Sequence, residues 1–170
     1  EVKSLANETA RATDDIADSP DLAPGEKVRR LDLFEAGLAP GATGPETATR
    51  LRDSLAETGV PVACASDLLV AFRADATKLR YADWGELMDY CAHSAHPVGR
   101  YLLHLHGEDP ATLPLGDALC AALQVLNHLQ DIGDDRSRLD RVYLPQDWMD
   151  AEGAALADLD RAAASPALRR

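Results

Sequence analysis

The chain has 170 residues, enough for one domain with a buried core, and its 46% apolar and 27% charged content is that of an ordinary globular protein. Its net charge of −12 leaves no basic stripe for nucleic acid and opposes a general attraction to anionic membrane. Alanine and leucine dominate the apolar set and β-branched residues are sparse, so the composition favours helices.

In chain order, residues 1–18 read as a helix that stops at Ser19-Pro20. Pro24 opens a helix over about 25–38, with Val28, Leu31, Leu33, Phe34 and Leu38 as its apolar positions. Residues 39–45 form a Pro/Gly loop, and a helix over 46–58 ends at Gly59. Pro61 starts a helix expected to run to about Leu79. Asp83 can cap a helix over about 84–107, which Pro97 should kink or interrupt. A loop with Pro110 and Pro114 precedes a long helix over about 116–134. A polar stretch then turns at Tyr143-Leu144-Pro145, and a last helix follows. No strand-like alternation stands out, so the expected fold is all-α, a single helical bundle over residues 1–170. The first residues already read as helix, and residues 162–170 read as the entry to another. The expectation is therefore a domain truncated at both ends.

Cys64, Cys91 and Cys120 are odd in number and form no CxxC pair, which reads as reduced thiols in a cytoplasmic protein. No run is long and apolar enough to span a bilayer, and no signal-peptide pattern is visible.

The helix around residue 125 is apolar almost all round, so it is expected to be central, with Leu119, Leu123, Val125, Leu126, Leu129, Leu102 and Leu103 mostly buried. Gln124, Asn127, Asp131 and Asp135 interrupt it within an arc of about 80° at helical period. Two carboxylates and an amide oxygen on one stripe suit a hard cation such as magnesium; an exposed, solvated helix end would carry the same pattern. Asp14 and Asp18 form a second acidic pair one turn apart, with Arg11 one turn before Asp14. If the two stripes face each other across a cavity, they make a metal clamp for a diphosphate, since a departing diphosphate needs its charge neutralised. The rest of such a cavity should be apolar and dry.

These residues carry a family resemblance. Arg11-Ala12-Thr13-Asp14-Asp15-Ile16-Ala17-Asp18 resembles the first aspartate-rich motif of squalene/phytoene synthases. Residues 90–100, Tyr-Cys-Ala-His-Ser-Ala-His-Pro-Val-Gly-Arg, resemble their Tyr…Val-Gly motif, and residues 123–135 the second aspartate-rich motif. Arg141-Val142-Tyr143-Leu144-Pro145 resembles the short segment after it. The resemblance implies an isoprenoid-synthase bundle with a central cavity, Mg2+ as cofactor and a prenyl diphosphate as substrate. It implies magnesium binding by Asp14, Asp18, Asn127, Asp131 and Asp135, and diphosphate contact by Arg11, with Arg141 and Tyr143 on the substrate side. Gln124 would line the polar end of the cavity, and Tyr90 would stand near the reacting diphosphate. Many members have arginine where this chain has Gln130, and that glutamine resembles the bacterial hydroxysqualene synthase branch of the hopanoid pathway. That branch is expected to ionise presqualene diphosphate and capture the cation with water, and Gln130 is read as tuning product release or water placement. The alternatives are a head-to-head prenyl synthase acting on farnesyl diphosphate and a non-catalytic helical accessory protein. A lipid product is compatible with peripheral association at the inner membrane surface.

The remaining polar residues read as structural. None of His93, His96, His104, His106 and His128 has a zinc spacing, although His93 and His96 flank the Tyr90 face. Asp75, Lys78, Arg80 and Tyr81 read as a surface charge pattern, although the resemblance implies a structural or diphosphate-side role for some of them, and Trp84 and Trp148 read as packing residues. No glycine-rich nucleotide fingerprint appears.

Overall fold

The structure is a computed structural model, and it describes residues 2–161 and 163–169. Helices α1 (Val2–Asp18), α2 (Pro24–Gly37), α3 (Glu46–Thr58), α4 (Ala63–Asp75), α5 (Trp84–Ser94), α6 (His96–Leu105), α7 (Leu113–Gln130), α8 (Ile132–Leu139) and α9 (Gln146–Glu152) follow one another in a bundle. Two short strands, β1 (Arg80–Tyr81) and β2 (Val142–Pro145), form a parallel pair. Among the described residues, no helix is long and apolar enough to cross a membrane.

Local signals explain most boundaries. Pro24 sits in the first turn of α2, and α3 ends at Gly59, which takes the left-handed conformation at φ 72°. The Asp83 side chain accepts a hydrogen bond from the Glu86 amide and caps α5. Pro97 separates α5 from α6, and the backbone leaves helical geometry at Ala95 (φ −117°, ψ −45°). Gly99 then lets α6 approach α7, because a Cβ there would stand 2.5 Å from Cys120 Sγ.

Several expectations fail. The helix after Pro61 begins at Ala63 and stops at Asp75, because the chain turns into β1 to pair with β2. The helix expected over 116–134 is two, since the backbone breaks at Asp131 (φ −95°, ψ 5°) before α8. At the C-terminal end, residues 162 and 170 lie outside the described residues, and the described part of that stretch holds only a short 3-10 turn, Ala167–Arg169.

The centre of the bundle is α4, packed by α1, α2, α5 and α6, and not α7. The larger core cluster joins Leu31, Phe34, Leu51, Leu55, Leu69 and Tyr101. A second joins Tyr81, Leu87, Tyr90, Cys91 and Tyr143 around the strand pair. Leu119, Leu123, Leu126, Leu129 and Leu102 are exposed, and Val125 and Leu103 are half-buried, so the expected core around α7 is corrected. Only one side of α7 meets α5 and α6; its other apolar side has nothing packed on it among the described residues. Trp84 and Trp148 pack by stacking on each other at 5.2 Å, on the surface.

Candidate active site

Helical period places the first acidic pair. Thr9, Thr13 and Ala17 form the buried stripe of α1, with the Thr13 hydroxyl donating to the Thr9 carbonyl at 3.0 Å. That stripe fixes the rotation of α1, and Asp14 and Asp18, each one residue further round, fall on the pocket side. Ala121 and Val125 do the same for α7 by packing against the tyrosine cluster. Gln124, Asn127, His128 and Asp131 then turn to the same pocket, and Asp135 joins them from the first turn of α8. Both acidic segments therefore line one open cavity of about 290 Å³, together with Asp75, Tyr90, Ser94, Arg141 and Tyr143.

The floor of this pocket is a buried polar network. Asp75 accepts hydrogen bonds from the Tyr90 hydroxyl at 2.9 Å and the Tyr143 hydroxyl at 3.1 Å. Arg141 donates to Asp18 at 3.0 Å and to the Asp75 carbonyl at 2.7 Å, and its guanidinium lies 3.6 Å from the Asp75 carboxylate. Arg141 thus ties the end of α1 to the end of α4. The β1–β2 pair sets this up by bringing Tyr81, fully buried, into a stack with Tyr143 at 5.3 Å. The His128 ring stacks on Tyr143 as well, with centroids 3.5 Å apart.

Electrostatics follow from crowded carboxylates. Asp14 stands at the open mouth, yet the surrounding protein and then Asp18, Asp75 and Asp15 push its carboxyl up to about 6. Burial likewise raises Asp75, against the pull of Arg141 and the two phenols, and raises Asp135. Burial, with help from Arg141, pushes His128 down to about 4, so its ring is neutral near pH 7. Burial also lifts the Tyr90 and Tyr143 phenols well above their ordinary range.

The sequence reading missed part of this site. Asp75 and Tyr81 are buried rather than a surface pattern, and His128 belongs to the pocket rather than to a structural background. The available clue was a lone acid one turn after Ala71 at the end of an apolar helix. Arg11 and Gln130 are exposed and stand outside the residues that line the pocket.

The donor set fits magnesium. Asp14, Asp18, Asn127, Asp131 and Asp135 offer oxygen donors, and burial followed by the neighbouring carboxylates raises the Asp14 carboxyl. Among the described residues, no three His, Cys, Asp or Glu side chains close on one point as a ready cage. An open half-site that shares its metal with substrate oxygens matches this arrangement.

Next to the acidic pocket lies an apolar cavity of about 250 Å³, lined by Phe34, Leu38, Leu51, Leu55, Leu69 and their neighbours. Leu68 and Phe72 line both spaces. A helical bundle with paired acidic helices over an apolar cavity is the architecture of the isoprenoid synthases. The fold agrees: a squalene synthase of Alicyclobacillus acidocaldarius superposes with a TM-score of 0.83 at 32% identity, over 99% of this chain and 64% of that one. The squalene/phytoene synthase family model matches residues 5–170, and the chain belongs to that family. It is 54% identical over 159 residues to a hydroxysqualene synthase of Rhodopseudomonas palustris, covering 93% of this chain and 54% of the relative. It is 51% identical over 155 residues to a hydroxysqualene synthase of Sinorhizobium fredii, covering 91% and 53%. The chain spans about half the length of the curated relatives it matches.

Proposed function

We propose that the protein carrying this chain ionises presqualene diphosphate and captures the cation with water, giving hydroxysqualene and diphosphate. The observation that carries the reading is the junction of a carboxylate-lined pocket with an apolar cavity through Leu68 and Phe72. An amphiphile with an anionic head and a hydrocarbon tail fits that junction. The names of the 54% and 51% identical relatives favour this member of the family.

In this reading Asp14, Asp18, Asn127, Asp131 and Asp135 hold magnesium, which supplies charge neutralisation for the departing diphosphate. Arg141 fixes Asp18 at 3.0 Å and adds a permanent positive charge at the head of the pocket. Tyr90 and Tyr143 line the pocket with hydroxyls held by Asp75, which fixes polar groups beside the substrate's polar head. The apolar lining of the second cavity offers a hydrocarbon chain few polar groups and keeps its surroundings poor in water, which limits random quenching of the cation. A single isoprenoid synthase domain running through residues 1–170, cytoplasmic placement and peripheral contact with the inner membrane belong to the same proposal.

A head-to-head prenyl synthase is the second reading, favoured by the squalene synthase superposition. A non-catalytic accessory role leaves the convergence of both acidic segments on one pocket without purpose. The test incubates full-length protein with magnesium and either presqualene diphosphate or farnesyl diphosphate, and identifies the products. Hydroxysqualene and diphosphate from presqualene diphosphate are expected, with Asp131→Asn lowering turnover by about 100-fold. Condensation of farnesyl diphosphate with no turnover of presqualene diphosphate would overturn the reading in favour of the second.

A further inference from the structure

Among the described residues, six buried side-chain nitrogen or oxygen atoms make no hydrogen bond. Three of them, Ser94 Oγ, His128 Nε2 and Arg141 Nε, belong to side chains lining the acidic pocket. Enclosed polar atoms normally find partners, so orphans gathered at one pocket mark a place for a small polar guest.

Two of these side chains line the pocket from α5 and α7, which pack against each other. Ser94 ends α5, one turn beyond Tyr90 and on the same helix face. The Tyr90 ring lies 5.8 Å from the His128 ring, so that face of α5 is the one that meets α7 at His128. His128 is held by its stack on Tyr143, with 15° between the rings. The chemistry selects the guest. A serine hydroxyl can both donate and accept, and an imidazole nitrogen does one or the other according to tautomer. The Arg141 guanidinium nearby disfavours a cation. Water satisfies both atoms.

We infer that Ser94 Oγ and His128 Nε2 hold the water molecule whose oxygen captures the carbocation. This rests on the reaction proposed above. The substrate carbon–oxygen bond breaks with its electron pair going to diphosphate. A lone pair of the held water then forms the new carbon–oxygen bond. The proton lost from that oxygen passes to the departing diphosphate, so charge and atoms balance. An apolar cavity poor in water needs one placed water if the product is to be an alcohol. Gln130, exposed and outside the pocket lining, is replaced in that role by Ser94 and His128.

The experiment uses full-length protein, magnesium and presqualene diphosphate, and scores hydroxysqualene as a share of diphosphate released. Ser94→Ala and His128→Phe, which keeps an aromatic stack on Tyr143, should each lower that share about tenfold, the effect of losing one good hydrogen bond in the capturing step. Ser94→Thr, which keeps the hydroxyl, should restore it. A crystal structure of the wild-type protein should show an ordered water within about 3.2 Å of both atoms, and the Ser94→Ala structure should lack it. An unchanged alcohol share overturns the inference even if turnover falls. If a variant releases no diphosphate, its structure decides: a water retained at the site overturns the inference, and a water lost supports it. If the wild-type protein releases no diphosphate from presqualene diphosphate, the proposed reaction fails, whereas altered variants beside an active wild type bear on the water site alone.

Discussion

Asp75 is the residue on which the polar floor depends. Its carboxylate is 7% exposed and receives two phenol hydroxyls beside a guanidinium whose side chain is 6% exposed. Removing one partner from such a buried group strands the other, at a cost of about 3–5 kcal/mol. Asp75→Ala should therefore destabilise the protein by that amount in urea unfolding, because Arg141 loses its buried carboxylate and is left with Asp18, a backbone carbonyl and the Tyr143 hydroxyl. Asp75→Asn keeps the volume and one acceptor oxygen, and should cost less, about 1–3 kcal/mol. Equal, small losses for both substitutions would show that the network does not bear on stability. The sequence alone did not disclose this residue. Asp75 is followed closely by Lys78 and Arg80, and mixed charges at a helix end look the same whether solvated or folded inward. What turns Asp75 inward is the pairing of β1 with β2, a contact between residues about sixty apart that no local pattern encodes.

At the scale of elements, helical period made the paired acids legible. Spacing of i, i+4 fixes a face wherever the helix lies, so Asp14 with Asp18, and Asn127 with Asp131, could be grouped without knowing their neighbours. Burial was not legible by the same logic. An apolar helix shows that its faces avoid water, not which partner covers each one, and α7 meets α5 and α6 on one side only. Leu115, Leu119 and Leu126 are 75%, 61% and 60% exposed on the other. Contiguous apolar surface of this kind promotes association. The 170-residue chain by itself should bind a hydrophobic dye and sediment as more than a monomer. Leu119→Glu combined with Leu126→Glu should suppress both, while shifting its unfolding free energy by no more than about 0.5 kcal/mol per site, because neither side chain has a packed environment to lose. A large loss of stability in the double variant would mean that this face is already covered.

Across the whole molecule, a net charge of −12 meets a pocket that gathers further negative charge around Asp14, Asp18, Asp75, Asp131 and Asp135. Composition was enough to predict helices and a need for local positive charge, and the structure supplies one buried guanidinium, Arg141, against those carboxylates. In the function proposed above the remainder falls to a bound cation, and pH should reveal it. The folded Asp14 carboxyl sits at about 6 against an ordinary 3.8, so folding disfavours its ionised form. That penalty is fully present above about 6 and disappears as pH falls towards 3.8, because the folded state then binds the proton that the unfolded chain has still to take up. Burial raises Asp135 in the same direction. Without metal, these groups should make the protein more stable at pH 5 than at pH 7.5. Magnesium offsets the penalty only where the carboxylates are ionised, so its effect should run the opposite way. At saturating metal the midpoint of thermal unfolding should rise by several degrees at pH 7.5, on the order of 2–4 °C for each kcal/mol of linked binding. At pH 5 the rise should be much smaller, and Asp14→Asn should reduce the rise at pH 7.5. Scanning calorimetry of the chelated and magnesium-loaded protein at both pH values is the measurement. An equal magnesium shift at the two pH values, or none at either, would remove the argument that this carboxylate pocket is held open for a cation.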